Sequence, residues 1–250
     1  MKSFVLLAIL ISTQLWGHDI PSDIPSSEVS SIYSEQSNYI LASKAAFVEQ
    51  QKEMIEGKKL RLWGIALFSG TDLFSYGIKL VTANEWSHVG MILIDEAGQK
   101  YSYESTGSAE EILYQHVLPE VRISLWENVV KEYSGKISMR EFQFRDAKRN
   151  DPTVIQPYVY NRVGLPYEKK LDELVKAVFR ANTKTGVNSV FCSEEVAHFL
   201  IFLNYLTKDR LADNYLPKDF SQKEFIPLID CSLKKEVRVK TLDNKCCVLF

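Results

Sequence analysis

An uninterrupted apolar run from Val89 to Ile94 constrains the fold of this chain more than any other stretch. A strand that is apolar on both faces needs cover on both sides, so residues 87–94 are expected to form a central, buried strand. The segment 95–99 predicts a turn, and residues 100–105 predict the next strand. The two strands are close enough in sequence to form a hairpin.

Strand-like segments gather in the first part of the chain and helix-like segments in the later part. Further strands are expected at residues 60–68, 121–125 and 136–142, and helices at 73–81, 152–163, 170–180 and 192–206. Strands that precede helices in this way favour an α+β domain, with an antiparallel sheet and packed helices. With 250 residues, 46% of them apolar, the chain can bury one sizeable core.

The first residues of the chain resemble an export signal. Lys2 gives a short basic start, and the apolar run 4–11 is too short to span a bilayer. A buried terminal strand or helix is the alternative interpretation. The chain then divides into a signal peptide (1–17), a linker and helix (18–58), a main domain (59–228) and a basic C-terminal tail (229–250). We expect an exported protein, either periplasmic or secreted.

Composition argues against several classes of partner and cofactor. A net charge of −2 gives no general attraction to nucleic acid. The 4 histidines and 4 cysteines are too few and too dispersed to predict a metal site, and no glycine-rich phosphate loop is present. No metal and no cofactor are therefore expected.

Cys192 stands where a helix is expected to begin, which is a favourable place for an ionised thiol. A helix N-terminus and a nearby imidazole both lower the pKa of a thiol, and His88 at the start of the central strand is the candidate imidazole. A histidine base needs a third group to fix its tautomer, and Glu104 is the candidate. The acidic residues Glu194 and Glu195 suit the helix dipole but are expected to raise the pKa of the thiol.

The predicted hairpin gives a test of whether His88 and Glu104 can meet. Side chains alternate between the faces of a strand, so the length of the loop decides whether the two share a face. A loop of residues 95–97 would place them directly opposite each other, and a loop of residues 95–99 would make them diagonal neighbours. A two-residue loop at 97–98 would place them on opposite faces. We predict an odd-numbered loop.

Each of these residues also has a simpler structural interpretation. A lone buried cysteine is usually a small hydrophobic residue, a strand histidine is often structural, and a glutamate on a short strand is often solvated. His198 competes weakly as a base, because it lies six residues after Cys192 on the same helix and about 240° around it. His116 and His18 are expected at the surface.

Four short motifs follow one another along the chain, and their order is informative: Trp86-Ser87-His88-Val89-Gly90, Tyr103-Glu104-Ser105, Gly164-Leu165-Pro166-Tyr167 and Phe191-Cys192-Ser193-Glu194. This set resembles the circularly permuted papain-like amidases of the YaeF/YiiX type in the NlpC superfamily, which are relatives of lecithin retinol acyltransferase. In that permuted branch the histidine precedes the cysteine, as here. The resemblance covers about residues 60–225, and Leu216 to Phe220 also looks like the closing segment of the family.

The resemblance implies a circularly permuted papain-like fold of the NlpC type, with residues 59–228 as a catalytic domain. It implies Cys192 as nucleophile, His88 as general base, Glu104 as the third member, and the backbone N–H of Cys192 as an oxyanion donor. The residues that would contact substrate are Tyr167, Trp86, Ser87 and Ser193. The implied activity is a thiol hydrolase or acyltransferase that acts on an amide or ester bond. The substrate would be a peptidoglycan-type peptide, another amide or a lipid acyl group.

Two alternatives remain open beside an enzyme. The first is a catalytically inactive protein on the same fold that binds a lipid or a peptide in its cleft. The second is a purely structural surface protein, for which Cys192 and His88 would lie far apart. The distance between these two side chains discriminates this last interpretation from the others.

The C-terminus carries a separate signal. Cys247-Val248-Leu249-Phe250 matches a prenylation pattern, and Cys246 beside it is a candidate for acylation. Residues 232–245 contain five basic and two acidic residues, an excess of three positive charges. One lipid and a basic stretch together would support membrane association. A chance match or a last strand is the alternative. Prenylation and export are compatible if a bacterium delivers the protein to a host cell, where it would be an effector anchored to a host membrane.

Overall fold

The computed structural model describes residues 42, 44–106, 120–146, 149–167 and 190–242, apart from the side chains of Leu73 and Phe74. Two compact units divide the chain, Met1–Phe47 and Val48–Phe250. The first unit is described only at residues 42 and 44–47, which are helical. The elements that follow belong to the second unit, apart from residues 44–47 at the start of the first helix.

An antiparallel sheet of seven described strands forms the centre of the second unit. The order is β4-β3-β2-β1-β5-β6, and β7 also pairs with β5. Residues 87–94 were expected to form a central strand, and β2 lies inside the sheet between β1 and β3. The α+β class and the antiparallel sheet are confirmed. The strands are β1 (Arg61–Ser69), β2 (His88–Ile94), β3 (Lys100–Thr106), β4 (Glu120–Leu125), β5 (Lys136–Phe144), β6 (Cys231–Leu233) and β7 (Val237–Lys240).

Five helices are described in addition to the strands. They are α1 over residues 44–55, which belongs to the second unit from Val48 onward, α2 (Leu73–Thr82), α3 (Trp126–Glu132), α4 (Pro152–Arg162) and α5 (Cys192–Phe202). Short 3₁₀ turns follow at Ala212–Asn214 and Pro217–Phe220. The helix expected at 170–180 lies outside the described residues.

Helix α5 ends at Phe202, four residues before the end that the apolar pattern predicts. Asn204 adopts a left-handed φ of 56°, which stops the helix, and the Tyr205 N–H turns back to the Leu200 carbonyl at 2.8 Å. Apolar periodicity continues past this point because Tyr205 and Leu206 are still buried. Burial alone therefore overestimates the length of the helix.

The two faces of β2 meet different layers of the core. Val89, Met91 and Leu93 belong to the main cluster, together with residues of α5 such as Phe199. Ile92 belongs to a smaller cluster on the other face, which α3 covers with Trp126. Cover on both faces explains why the sequence of this strand does not alternate between apolar and polar residues.

Strands β6 and β7 lie in the segment that the sequence analysis assigned to the basic tail. Both pair with β5, at Phe142–Phe144 and Ile137–Met139 respectively. The buried Lys240 ammonium donates to three carbonyls at the C-terminal end of α3, those of Val130 (2.8 Å), Lys131 (3.0 Å) and Tyr133 (2.5 Å). This part of the tail is therefore a component of the sheet.

Several sequence-based expectations fall outside the described residues. The signal peptide at 1–17 and the cysteines Cys246 and Cys247 are among them, so export and lipidation stay predictions. In the part of the chain that the structure describes, no helix is long and apolar enough to cross a membrane.

Candidate active site

The β2–β3 hairpin determines which side chains share a face at the site. Its strands pair from Ile94–Lys100 to Met91–Tyr103, which leaves residues 95–99 as a five-residue loop. The Asp95 carboxylate holds this loop by accepting from the N–H groups of Ala97 and Gln99, each at 2.9 Å. The predicted odd-numbered loop is confirmed. Continuation of this register makes His88 and Glu104 diagonal neighbours on one face.

The His88 ring and the Glu104 carboxylate are in direct contact. His88 Nε2 lies 2.6 Å from Glu104 Oε2, and the Glu104 side chain is only 3% exposed. The other carboxylate oxygen, Oε1, accepts from Arg122 Nη2 at 3.2 Å. Arg122 stands directly opposite Glu104 in the β3–β4 pairing, so both side chains project from the same face of the sheet.

Gly90 provides the space through which Glu104 reaches His88. It lies between the two on the shared face, and a Cβ placed there would be 3.0 Å from Glu104 Cβ and 3.2 Å from the Tyr103 carbonyl oxygen. The backbone of Gly90 is not among the described positions with positive φ. Glycine is therefore suited to this position by its size and not by its conformational freedom.

Cys192 is the first residue of α5, and its side chain meets the His88 ring. The two side chains are close enough to alter each other's pKa, and the backbone N–H groups of Val89 and Ser193 also act on the pKa of the thiol. Glu104 occupies Nε2 of the His88 ring, which leaves Nδ1 as the nitrogen available to another group. The Phe68 ring packs against His88 at 5.1 Å between centroids, which supports the orientation of the imidazole. The cluster is nearly closed to solvent, with Cys192 at 4% and the His88 side chain at 16% exposure.

The charges of these side chains alter one another's ionisation. Burial raises the pKa of Cys192, but the His88 imidazolium and the two backbone N–H groups outweigh it and lower the pKa below its usual value. Burial lowers the pKa of His88, but Cys192 and Glu104 outweigh it and raise the pKa to about 10. Burial also raises the pKa of Glu104, whereas Arg122 and His88 lower it to about 2. All three shifts act in favour of a thiolate beside an imidazolium and a carboxylate.

The acidic pair that follows Cys192 does not act on the thiol as expected. The Glu195 carboxylate, with no exposed surface, binds the Arg162 guanidinium at 2.8 and 2.9 Å from Nε and accepts from the Tyr103 hydroxyl at 2.6 Å. Glu194 accepts from the Phe191 N–H at 3.1 Å and so caps the start of α5. The pKa of Cys192 is lowered and not raised, because His88 and the N–H groups of Val89 and Ser193 outweigh burial, and the charge of Glu195 is balanced by Arg162.

Three of the residues expected to contact substrate are almost fully buried: Trp86, Ser87 and Ser193 are 1%, 2% and 2% exposed. The Ser87 hydroxyl accepts from the Gly70 N–H at 3.0 Å, and the Arg238 guanidinium stacks over the Trp86 ring at 4.9 Å. Each of these interactions supports the loop before His88. A substrate contact by any of the three stays a prediction.

Tyr167 lies beside the start of α5, as the last residue of the Gly164-Leu165-Pro166-Tyr167 motif. Its ring packs edge-on against Phe191, with 6.0 Å between centroids. Gly164 has a positive φ of 91°, which favours glycine, and its N–H donates to the Val121 carbonyl at 2.8 Å. This motif closes the outer edge of β4 and places Tyr167 next to the residue that precedes Cys192. Its contact with substrate stays a prediction.

Sequence reasoning missed two polar residues near the cluster, Arg122 and Tyr133. The alternation in 121–125 could have identified Arg122 once β4 was paired with β3, because its face follows from the register. Tyr133 follows α3 and packs on Phe68 at 5.0 Å between ring centroids. Burial and the nearby charge of Glu104 raise the pKa of Tyr133, so it is a neutral phenol.

The remaining described histidine is His198, which lies 3.7 Å from Glu194 Oε1. His18 and His116 are outside the described residues. Over the described ranges, no group of three or more His, Cys, Asp or Glu side chains could hold a metal ion.

No protein-family model matches the sequence, and no curated protein matches it. Among solved structures, the chain is similar to an Escherichia coli O157:H7 protein described as metalloprotein yiiX, DUF1105, with 16% identity and a TM-score of 0.38. The similarity covers 57% of this chain and 65% of that chain, which is less than two thirds of its length.

Proposed function

We propose that the protein is a thiol hydrolase or acyltransferase that acts on an amide or ester bond. Cys192 is the nucleophile, His88 the general base and acid, and Glu104 the residue that orients the imidazole. The observation that supports this proposal most is the chain of contacts from the Cys192 sulfur through His88 to Glu104. Nucleophile, base and orienting group in contact form the arrangement that covalent acyl transfer needs.

In the proposed reaction, the Cys192 thiolate attacks the carbonyl carbon and forms a tetrahedral intermediate with a negative oxygen. The N–H of Cys192 has no intrahelical partner because the residue begins α5, so it can donate to that oxygen. The His88 imidazolium gives its proton to the leaving amine or alcohol as the carbon–heteroatom bond breaks. Water or an amine then attacks the acyl-enzyme, His88 takes the proton of the attacking group, and Cys192 leaves as a thiolate.

We also propose the permuted papain-like arrangement, in which the histidine strand precedes the cysteine helix. Two features support it. His88 begins the internal strand β2, and Cys192 begins a helix that packs against that strand. Chain order does not affect the chemistry, because the geometry of the side chains alone determines it.

Alkylation by iodoacetamide tests the proposed pair without knowledge of the substrate. Because its pKa is lowered, Cys192 should react faster at pH 6 than an ordinary thiol, whereas His88→Ala should react at least about tenfold more slowly, since below the pKa each pKa unit is a factor of ten in thiolate. Cys231 is a matched control, because it is also buried and free but its pKa is raised to about 11. Peptide mapping should find the label on Cys192 and not on Cys231.

Acyl transfer itself is tested with p-nitrophenyl acetate and with a peptide anilide, by the release of the chromophore and by a mass increase of the acylated chain. Loss of both signals in Cys192→Ser and in His88→Ala is the expected result. An inactive binding protein on the same fold is the alternative. Equal alkylation of Cys192 in the wild type and in His88→Ala, with no turnover of either substrate, would favour it.

A further inference from the structure

We propose that Arg122 is a positioning residue for the proposed reaction, which acts on Cys192 and His88 only through the Glu104 carboxylate. This inference rests on the proposed function. It adds a fourth member from a fourth element of the fold, β4, to the cluster formed by β2, β3 and α5. Sequence reasoning did not identify this residue.

The hydrogen bonds to the carboxylate define the first part of the role. Glu104 has one oxygen on His88 Nε2 at 2.6 Å and the other on Arg122 Nη2 at 3.2 Å. With both oxygens bound, the carboxylate cannot rotate away from the imidazole without losing one partner. The Arg122 side chain is itself only 13% exposed, so its charge is poorly screened by solvent.

The order of charges defines the second part of the role. From β4 inward, the members are Arg122 (positive), Glu104 (negative), His88 (positive) and Cys192 (negative). Along this series of four side chains the charges alternate in sign and sum to zero. Without the Arg122 guanidinium, the other three side chains together carry one net negative charge, which is unfavourable in a poorly solvated site. Glu104, His88 and Cys192 then become neutral as a set by binding one proton, and this weakens the thiolate–imidazolium pair.

Other charged groups around the cluster do not duplicate the contact. On the elements packed around it, Glu195 is bound by Arg162, Glu194 caps α5, and Tyr133 is a neutral phenol. Among the described hydrogen bonds and ion pairs of the Glu104 carboxylate, Arg122 and His88 are the partners. The balancing cation is therefore assigned to Arg122.

The test is a double-mutant cycle read by iodoacetamide alkylation of Cys192 between pH 4 and pH 9. At pH 6, Arg122→Gln should react at least about tenfold more slowly than the wild type, which corresponds to about one pKa unit. Arg122→Lys should lose less, because it keeps the charge. In the Glu104→Gln background, Arg122→Gln should change the rate less than about twofold, because a residue that acts through Glu104 has no effect without it.

Arg140→Lys and Arg140→Gln are matched controls. Arg140 is another largely buried arginine of the same sheet, but it donates to backbone carbonyls such as those of Phe220 and Ser221, at 2.9 and 3.0 Å. These variants should lower the unfolding temperature and leave the alkylation profile unchanged. If Arg122→Gln does not fold, Arg122→Lys in both backgrounds completes the cycle.

The outcomes separate this inference from the proposed function. A wild-type profile for Arg122→Gln, or an equal loss of rate with and without Glu104, overturns the role of Arg122, while the loss of reactivity in His88→Ala still supports the thiol–imidazole pair. Unchanged reactivity in His88→Ala overturns the proposed function and this inference with it.

Discussion

Alanine at position 90 tests whether the cluster depends on the space beside Glu104. The added methyl carbon would lie 3.0 Å from Glu104 Cβ, 3.2 Å from the Tyr103 carbonyl oxygen and 3.6 Å from Glu104 Oε2. The carbonyl belongs to a paired strand and moves little, so the Glu104 side chain must give way. Gly90→Ala should therefore move the carboxylate away from His88.

The expected magnitudes follow from the two consequences of this displacement. Overpacking in a buried region costs about 1–3 kcal/mol. For a domain of this size, that corresponds to a fall in unfolding temperature of roughly 2–12 °C. The displacement also weakens the Glu104–His88 hydrogen bond, and a hydrogen bond between charged groups contributes about 1.5–3 kcal/mol. Its loss should raise the pKa of Cys192 by about 1–2 units. Alkylation at pH 6 should then slow by about 10- to 100-fold.

The assay combines a thermal melt with the rate of iodoacetamide alkylation from pH 4 to pH 9. Gly77→Ala on α2 is the control, because a Cβ there meets nothing within 4 Å. Alanine in a helix interior should stabilise the protein by about 0.5–1 kcal/mol and leave alkylation unchanged. A folded Gly90→Ala variant with the wild-type alkylation profile would refute the idea that Glu104 needs this space to support the thiolate.

Three further predictions follow from described contacts. Glu195→Gln removes the counter-ion of the partly buried Arg162 guanidinium, so it should lower the free energy of unfolding in urea by about 3–5 kcal/mol. A loss below about 1 kcal/mol would contradict this. Lys240→Met removes three bonds to the end of α3 and should cost roughly 2–4 kcal/mol by the same measurement, with unchanged stability as the contrary result. Acyl-transfer activity should rise with pH as the Cys192 thiol ionises. It should fall again near pH 10 as His88 loses its proton, because the pKa of His88 is raised to about 10. Constant activity from pH 8 to pH 11 would show that the reaction does not need a protonated His88.

Local patterns in the sequence predicted the centre of the fold. The apolar run of β2 identified an internal strand, because a strand covered on both faces cannot alternate. The short distance to β3 and the alternation of side chains then predicted that His88 and Glu104 would share a face. These inferences needed the side-chain period, which is constant for a strand, and an odd-numbered loop, which the structure then confirmed.

Features that depend on distant partners were not predictable in this way. The charge of Glu195 seemed unfavourable for the thiol until Arg162, 33 residues earlier, was found beside it. Arg122 could be assigned to Glu104 only after β4 was paired with β3. The end of α5 depended on the left-handed turn at Asn204. In each case the missing information was a tertiary contact or a backbone conformation.

The pairing of β6 and β7 with β5 has a practical consequence for work on the C-terminal cysteines. A chain shortened at residue 229, where composition alone suggests that a tail begins, would lose both strands. It would expose the edge of β5, a surface prone to pairing between molecules. Such a protein would aggregate whatever the role of Cys246 and Cys247. Shortening after Leu242 keeps both strands, so that a change in membrane association can be attributed to the removed residues and not to an incomplete sheet.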